Sequence, residues 1–309
     1  MIGRARSSYG ALILRRRALR SIALISIVVL LTAASAFAAV YWVRHGSGER
    51  SAALKAWTDG AYDVVYRSAE KQLEEAPLSS FWLMMRGFSA YQLATAQINN
   101  QDTVAYIDES IAVLRKAQLV GSGRMEARVR YVLGKAYYQK GPQYADQAAA
   151  NLEAALAAKI DAPDIHEYLG LAYAALHDYK KSVIAFSQAL GPDPSDLLLL
   201  AIAKSYIELG EKDSARAYLI RCAENSKDTH VIIQARLLLG RILFEGGDAA
   251  GAEKEYLSIL DIDAENAETH FALGELYSAL GDAVKARAEW RRTLRIDAAH
   301  GPARARLSL

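Results

Sequence analysis

The chain has 309 residues, of which 37 are Lys or Arg and 35 are Asp or Glu, so its formal net charge is +2. Hydrophobic residues make up 52% of the sequence, which is enough apolar surface for a folded protein and excludes an intrinsically disordered one. Six of the bases are arginines within residues 1–20, so the remainder has a small excess of acids and lacks the basic surface of a nucleic-acid-binding protein.

Cysteine and proline usage narrows the fold class. With Cys222 as its single cysteine, the chain can form neither an internal disulfide nor a cysteine-based zinc site. Its six prolines leave long stretches free of helix breakers. We therefore expect an all-α protein.

The first predicted element is a transmembrane helix at residues 21–43, which follows the basic segment at residues 1–20. Residues 21–43 carry no charged side chain and would form a helix about 34 Å long, against a hydrocarbon core of about 30 Å. Arginines precede this stretch, and Tyr41 and Trp42 stand where interfacial aromatic residues are enriched. We expect a single-pass protein with a cytoplasmic N-terminus and all later residues on the extracytoplasmic, periplasmic side.

Two other interpretations of this segment stay open. Ala36, Phe37 and Ala38 form an A-x-A site after an apolar run, as in a cleaved signal peptide, which would leave a secreted or periplasmic protein. Residues 1–20 are also rich in arginine and free of acids, as in a mitochondrial presequence. The apolar run continues past the cleavage site, which favours a retained anchor.

The rest of the chain repeats a short sequence pattern. The copies are LGKAY at 133–137, LGLAY at 169–173, IAKSY at 202–206, LGRIL at 239–243 and LGELY at 273–277. Their small second residues recur about every 34 positions, and each copy is followed by a break and a second apolar helical run. Such a period predicts stacked helix-turn-helix units.

Glycine usage supports the same units. Glycine within a helix costs about 1 kcal/mol relative to alanine, so Gly134, Gly170, Gly240 and Gly274 indicate places where a second helix crosses closely. Gly210, Gly247 and Gly281 are expected to end first helices in the left-handed conformation. Asp178, Asp248 and Asp282 follow as expected N-caps of the second helices.

Together these positions resemble the tetratricopeptide repeat (TPR) family. In the unit that starts at Pro163, the family pattern is matched by Gly170, Tyr173, Phe186, Ala189 and Pro194, whereas His177 and Ser182 replace a glycine and an alanine. The resemblance implies a right-handed α-solenoid of helix-turn-helix repeats, here preceded by a single N-terminal transmembrane helix. We expect degenerate repeats at 44–123, five repeats at 124–298 and a C-terminal capping helix at 299–309.

Motifs that carry chemistry are missing from the sequence. There is no phosphate-binding loop and no H-E-x-x-H zinc motif, and the glycines at 121–123 follow no predicted strand. His166 and His270 share one repeat position and are expected to pack between helices, while Cys222 is expected to be buried. We predict a non-enzymatic protein without metal or cofactor.

The resemblance also implies a concave groove formed by the first helices, which would bind a partner segment. The residues at the groove positions are Arg128, Tyr131, Lys135, Tyr138, Tyr168, Leu171, Lys204, Ile207, Arg241, Phe244 and Phe271. Lys135, Lys204 and Arg241 share one repeat position and predict a track of bases between apolar patches. Such a track suits an acidic or C-terminal peptide segment.

Three functions remain open at this point. The chain could be a membrane-anchored scaffold that binds a protein or peptide partner in an envelope-associated complex. It could instead be a structural component of a large membrane machine, such as a secretion system or motor, that contacts its neighbours by the solenoid edges. A cleaved signal peptide would make it a secreted or periplasmic repeat protein. We expect no nucleic-acid partner, and a homo-oligomer stays open.

Overall fold

The computed structural model describes residues 48–96 and 100–308, and the described residues form α-helices without any β-strand. The helices are α1 (48–58), α2 (Tyr62–Glu75), α3 (Ser80–Ala96), α4 (Asn100–Val120), α5 (Glu126–Lys140), α6 (Ala145–Ala157), α7 (Ile165–Ala175), α8 (Tyr179–Ala189), α9 (Asp196–Glu208), α10 (Lys212–Asn225), α11 (Thr229–Glu245), α12 (Ala249–Leu260), α13 (Ala267–Ala279), α14 (Ala283–Ile296) and α15 (Gly301–Leu307). The prediction of an all-α helical solenoid is confirmed.

The predicted transmembrane helix at residues 21–43 lies outside the described residues. Within the described part, no helix has the length and apolar character needed to cross a bilayer.

The helices form successive antiparallel pairs that stack on one another. Each odd-numbered helix from α3 to α13 packs against the even-numbered helix that follows it, and α3, α5, α7, α9, α11 and α13 also contact one another in series. Ala53 of α1 is buried in one cluster with Val65 and Ala69 of α2. Each pair therefore buries its apolar stripe against the next pair, as expected of stacked repeats.

Glycines make the close crossings within the pairs. A Cβ atom on Gly170 would lie 2.5 Å from Phe186 Cε1, and one on Gly274 would lie 2.5 Å from Trp290 Cδ1. Gly134 faces Leu152 in the same way. These distances are shorter than van der Waals contact, so glycine is needed where the second helix crosses.

The departures from the family pattern have local explanations. Ser182 is fully buried, and its hydroxyl donates to the Gly170 carbonyl oxygen at 2.9 Å. Ser110 donates to the Gly87 carbonyl oxygen at 2.8 Å in an earlier pair. A serine is therefore accommodated at this place because its hydroxyl bonds to the crossing helix.

The last helix covers the exposed end of the stack. Ala303 of α15 is buried and packs in one cluster with Ala286 and Trp290 of α14. The His300 ring accepts the backbone N–H of Ala303 at 3.1 Å and so caps the start of α15. This helix therefore removes part of the apolar face of α14 from solvent.

Candidate functional site

We call the exposed side of the odd-numbered helices the groove face. Of its predicted residues, Arg128, Lys204 and Arg241 are exposed, whereas Tyr131 is buried. The remaining predicted residues are half-buried, namely Lys135, Tyr138, Tyr168, Leu171, Ile207, Phe244 and Phe271. The groove face therefore presents partly exposed aromatic rings beside a few open charges.

Lys135 is held inside a group of tyrosine rings. Its ammonium group lies 4.5 Å from the ring centroid of Tyr168 and 5.1 Å from that of Tyr131. The ring centroid of Tyr91, on α3, is 5.6 Å away. Aromatic faces at these distances attract a cation. The surrounding rings therefore stabilise the ammonium group within the protein.

Asp164 completes this group and neutralises the lysine. Lys135 Nζ donates to Asp164 Oδ2 at 2.7 Å, and the side chain of Lys135 is 14% exposed. The Tyr131 hydroxyl also donates to Asp164. Lys135 therefore does not continue an open track of bases with Lys204 and Arg241, because its charge is paired inside the protein.

The protonation equilibria follow from this pairing. Burial lowers the pKa of Lys135, but the hydrogen bond to Asp164 and the neighbouring tyrosines raise it by more, so the net pKa is above its ordinary value. Burial raises the pKa of Asp164, yet the hydrogen bonds from Lys135 and Tyr131 bring it below its ordinary value. Burial, together with Asp164, raises the pKa of Tyr131 to about 12. All three groups thus keep their ordinary neutral-pH charge states.

Tyr138 and Leu171 lie together on the groove face. They line one hollow of about 480 Å³ between α5 and α7, which also includes Pro142 and Ala175. Tyr138 also packs edge-on against Tyr168, with ring centroids 5.7 Å apart. These three predicted residues therefore form one apolar surface.

Arg241, Phe244 and Phe271 meet in a second hollow, between α11 and α13. Its volume is about 370 Å³, and Leu237 and Leu238 complete its apolar lining. Arg241 is exposed and lines this hollow. This hollow combines apolar surface with an open guanidinium group.

A larger hollow of about 540 Å³ adjoins it and shares Leu237 and Glu268 as lining residues. Ile233 and Ile262 add apolar surface there. The two hollows are adjacent along α11 and α13, and we call them together the α11–α13 groove. A short extended segment would contact both its apolar floor and its charged rim.

Carboxylates form much of that rim. Arg306 of α15 donates to both oxygens of Glu275, at 2.9 and 2.6 Å. The Nε2 atom of His300 lies 3.3 Å from Glu268 Oε1. The capping helix therefore fixes two acidic side chains of the groove.

Lys204 and Ile207 lie one helix away, on α9. Lys204 Nζ donates to the Gln234 side-chain oxygen of α11 at 3.3 Å. Ile207 packs against the core cluster that includes Leu239 and Leu243. Lys204 therefore extends the charged rim of the α11–α13 groove toward α9.

Three residues that support the groove face, Tyr91, Asp164 and Arg306, are not predicted by the pattern of the five repeats. Tyr91 occupies the same place in its helix, four residues after Gly87, as Tyr138 does after Gly134. Extending the repeat alignment upstream would have found it. Asp164 lies just before α7, and Arg306 lies in the capping helix, so neither occupies a repeat position that predicts a groove contact.

His270 and Cys222 are both buried in the structure, as the sequence predicts. His270 Nδ1 lies 2.6 Å from Glu289 Oε2, and both side chains are buried. Cys222 is fully buried, and burial raises the pKa of its thiol to about 11. Within the described ranges, no group of three or more His, Cys, Asp or Glu side chains is placed to hold a metal ion.

Comparison with known proteins supports the repeat assignment. The tetratricopeptide repeat family model matches residues 145–196 and 200–267, which include Lys204, Arg241 and Phe244. These two ranges therefore resemble tetratricopeptide repeats. A comparison with curated proteins found no match.

Two solved structures show the same architecture. The C-terminal part of a TPR repeat-containing protein from Cytophaga hutchinsonii superposes with a TM-score of 0.60 at 16% identity, covering 82% of this chain and 97% of that one. The Pseudomonas aeruginosa protein pilF superposes with a TM-score of 0.53 at 13% identity, covering 72% of this chain and 96% of that one. At these identities the similarity establishes the fold.

Proposed function

We propose that this protein is a membrane-anchored, non-enzymatic scaffold whose groove face binds a segment of a partner protein in an envelope-associated complex. The observation that carries the proposal is the α11–α13 groove, where Phe244 and Phe271 stand half-buried beside the exposed Arg241. Aromatic residues and arginine dominate the binding energy of protein interfaces. A concave repeat surface with this composition is suited to a short segment with an apolar anchor.

The charges of the groove define the partner further. The exposed base of the groove is Arg241, and Lys204 lies on the neighbouring helix α9. Glu268 is paired with His300 and Glu275 with Arg306. A partner carboxylate placed near Arg241 would gain a charge-assisted hydrogen bond. We therefore propose that the partner segment pairs an apolar side chain with an acidic group, or with its own C-terminal carboxylate.

The other predicted groove residues provide a second, less charged surface. Tyr138, Tyr168 and Leu171 offer aromatic and apolar contacts, whereas Lys135 and Tyr131 support the local structure through Asp164. Arg128 is exposed at the start of α5. In this proposal a longer partner segment runs from the α11–α13 groove toward Tyr138.

A variant pair tests the groove. Arg241→Glu and Phe244→Ala should each weaken capture of the native partner from detergent-solubilised membranes, with Tm changed little in the Arg241 variant because exposed substitutions usually shift stability by about 0.5 kcal/mol or less. Raising the salt concentration should weaken partner binding to the wild-type chain and to Phe244→Ala alike. Arg287→Glu, an exposed base on α14, is the matched control. An unchanged set of captured partners in both groove variants would contradict the proposal.

The proposed membrane anchor is the uncharged stretch at residues 21–43, which follows six arginines. We propose that these residues cross the membrane once, with the repeats on the extracytoplasmic side. A phosphatase reporter fused after residue 50 should be active in bacterial cells, and the chain should resist salt extraction from membranes. A mature chain that starts near Ala39 would favour the cleaved signal peptide instead.

A further inference from the structure

Four large apolar side chains are exposed around the start of the repeat array. Leu78 is 64% exposed, Leu119 is 90% exposed, and Val120 and Met125 are each 41% exposed. Leu78 and Met125 precede α3 and α5, and Leu119 and Val120 end α4. We call these four residues the apolar edge.

Hydrogen bonds between helix ends bring these residues to one edge. The Ser80 hydroxyl donates to the Gly121 carbonyl oxygen at 2.7 Å, so the start of α3 touches the end of α4. Leu78 precedes Ser80 by two residues, and Leu119 precedes Gly121 by two. Leu78 and Leu119 therefore lie on the same edge of the solenoid.

Met125 belongs to the same edge. It directly precedes α5, and the Gln118 side chain of α4 donates to Glu126 of α5 at 3.0 Å. The end of α4 thus touches the starts of both α3 and α5. The apolar edge is therefore shared by three neighbouring helix ends.

The first described helix also begins at this edge. The Gln72 side chain, near the end of α2, donates to Glu49 of α1 at 2.9 Å. The guanidinium carbon of Arg50 lies 5.1 Å from the ring centroid of Phe81, at the start of α3. The chain therefore enters the described structure, at residue 48, on the side that carries the apolar edge.

The connection to the proposed anchor is short. Residue 43 ends the uncharged stretch, and five peptide units separate it from residue 48, which limits the distance between their Cα atoms to about 18 Å. Val104 stands at the opposite end of α4 from Leu119, about 22 Å away along the helix axis. The tether therefore holds the apolar edge nearer to the bilayer than the opposite edge of the same pair.

Charges on this edge are mixed. Arg124 and Arg128 are exposed beside Met125, and Glu74 and Glu75 are exposed at the end of α2. Arg115 and Lys116 are also exposed near the end of α4, so bases and acids are interspersed and charge of a single sign does not distinguish this edge. The exposed apolar side chains are what distinguishes it.

We propose that the apolar edge rests on the membrane, with Leu78, Leu119, Val120 and Met125 inserted among the lipid headgroups and upper acyl chains. This inference rests on the membrane anchor proposed above and adds the orientation of the repeat array on the bilayer surface. Apolar side chains presented by a tethered protein gain contact with the interfacial region. The solenoid then stands with α4 pointing away from the bilayer, so that Val104, near the start of α4, lies in solvent.

Fluorescent labels on the full-length protein test this orientation. Leu119→Cys and its matched control Val104→Cys are each labelled with a polarity-sensitive dye and reconstituted into phosphatidylethanolamine–phosphatidylglycerol vesicles containing spin-labelled lipid. Both native side chains are exposed, at 90% and 58%, so labels at these sites should preserve the fold, which circular dichroism checks. The wild-type chain serves as the blank, because its single thiol, that of Cys222, is buried.

We expect the Leu119 label to be blue-shifted and quenched several-fold more strongly than the Val104 label. Equal quenching of the two labels, or none at Leu119 in protein that floats with the vesicles and resists carbonate extraction, would overturn the inference while leaving the anchor intact. In the latter case a protein partner would cover the edge. Protein that fails to float with the vesicles would overturn the anchor and this inference together.

Discussion

His177 occupies a backbone conformation that glycine adopts in the equivalent turns of three other pairs. Its φ is 59°, and those of Gly210, Gly247 and Gly281 are 78°, 86° and 81°. The His177 ring lies 2.7 Å from the Tyr179 hydroxyl, which stabilises the turn locally. The sequence has histidine where the equivalent turns have glycine. In the structure His177 adopts the same left-handed conformation, which strains its backbone.

Replacing His177 with glycine should therefore stabilise the protein. A left-handed conformation costs a residue with a Cβ about 1–2 kcal/mol, and the lost ring contact offsets part of the gain, so we expect a net increase of about 1 kcal/mol in unfolding free energy. Denaturant unfolding measures it. Gly281→Ala, the reverse change in an equivalent turn, should lower stability. A His177→Gly variant no more stable than the wild type would show that the turn is unstrained.

Asp164 links the protein's stability to acidic pH. Its folded-state pKa is lowered, because the hydrogen bonds from Lys135 and Tyr131 outweigh burial, so the ionised form stabilises the folded protein. That contribution is present above the ordinary pKa of 3.8 and is lost as the pH falls through the folded-state value. Acidification should therefore weaken the contact between α5 and the start of α7.

The Asp164→Asn variant tests this linkage. At neutral pH it should unfold more easily than the wild type by about 1–3 kcal/mol, since Lys135 loses a charged hydrogen-bond partner in a mostly buried place. The difference should shrink as the pH falls below 3.8 and through the lowered folded-state pKa of Asp164, where the wild-type carboxylate also becomes neutral. Asp108→Asn, which breaks the more exposed pair with Lys140, should cost less than about 0.5 kcal/mol. A pH-independent difference for Asp164→Asn would contradict the assignment.

The role of Lys135 could not be predicted from its own repeat position. That position predicts an open groove residue, whereas the partner that neutralises it, Asp164, belongs to the connection before α7. A repeat alignment contains no information on which loop carboxylate reaches which helix. Arg241 stands at the same position, and its predicted exposure agrees with the structure.

At the scale of single helices, the glycine crossings set the geometry of each pair. The recurring glycines could be predicted from the sequence because a costly residue repeated at one position needs a packing reason. The second helix supplies that reason, as Phe186 does against Gly170. The pair α9 and α10 has Ala203 and Leu219 at the two places instead, and both are fully buried.

Gly170→Ala should accordingly destabilise the protein by about 1–3 kcal/mol through overpacking against Phe186. Adding Phe186→Leu should recover part of the loss, because the double variant has the Ala–Leu combination of α9 and α10. Thermal unfolding, monitored by circular dichroism, measures the stability of the single and the double variant. Gly191→Ala is the control, since a Cβ there would meet no atom within 4 Å. If Gly170→Ala and Gly191→Ala unfold alike, the close crossing is not needed.

The start of α6 could not be predicted from the repeat pattern, because it depends on a contact with a side chain outside the repeated positions. The structure has a short 3-10 turn at Pro142–Tyr144 before α6, which the repeat pattern alone does not predict. The turn is stabilised by Tyr144, whose ring stacks on Tyr137 with centroids 6.2 Å apart. Such an aromatic pair, seven residues apart across a turn, becomes visible only once both helices are placed.

At the scale of the whole molecule, the repeats provide a long surface with an uneven distribution of charge. The part near Tyr138 is aromatic and locally neutral, because Lys135 is paired with Asp164. The part along α11 and α13 has the open Arg241 and the acids fixed by α15. Partner binding is therefore expected to centre on the C-terminal half of the array.

Site-specific photo-crosslinking tests this central claim most directly. A benzoylphenylalanine at position 244 keeps an aromatic ring in the α11–α13 groove, and the same residue at position 180, where exposed Lys180 stands on α8, is the control. In cells that make the full-length chain, we predict a discrete crosslinked partner from position 244 and none from position 180. Crosslinks from position 180 alone would contradict binding in the groove and would favour a structural role for the even-numbered helices.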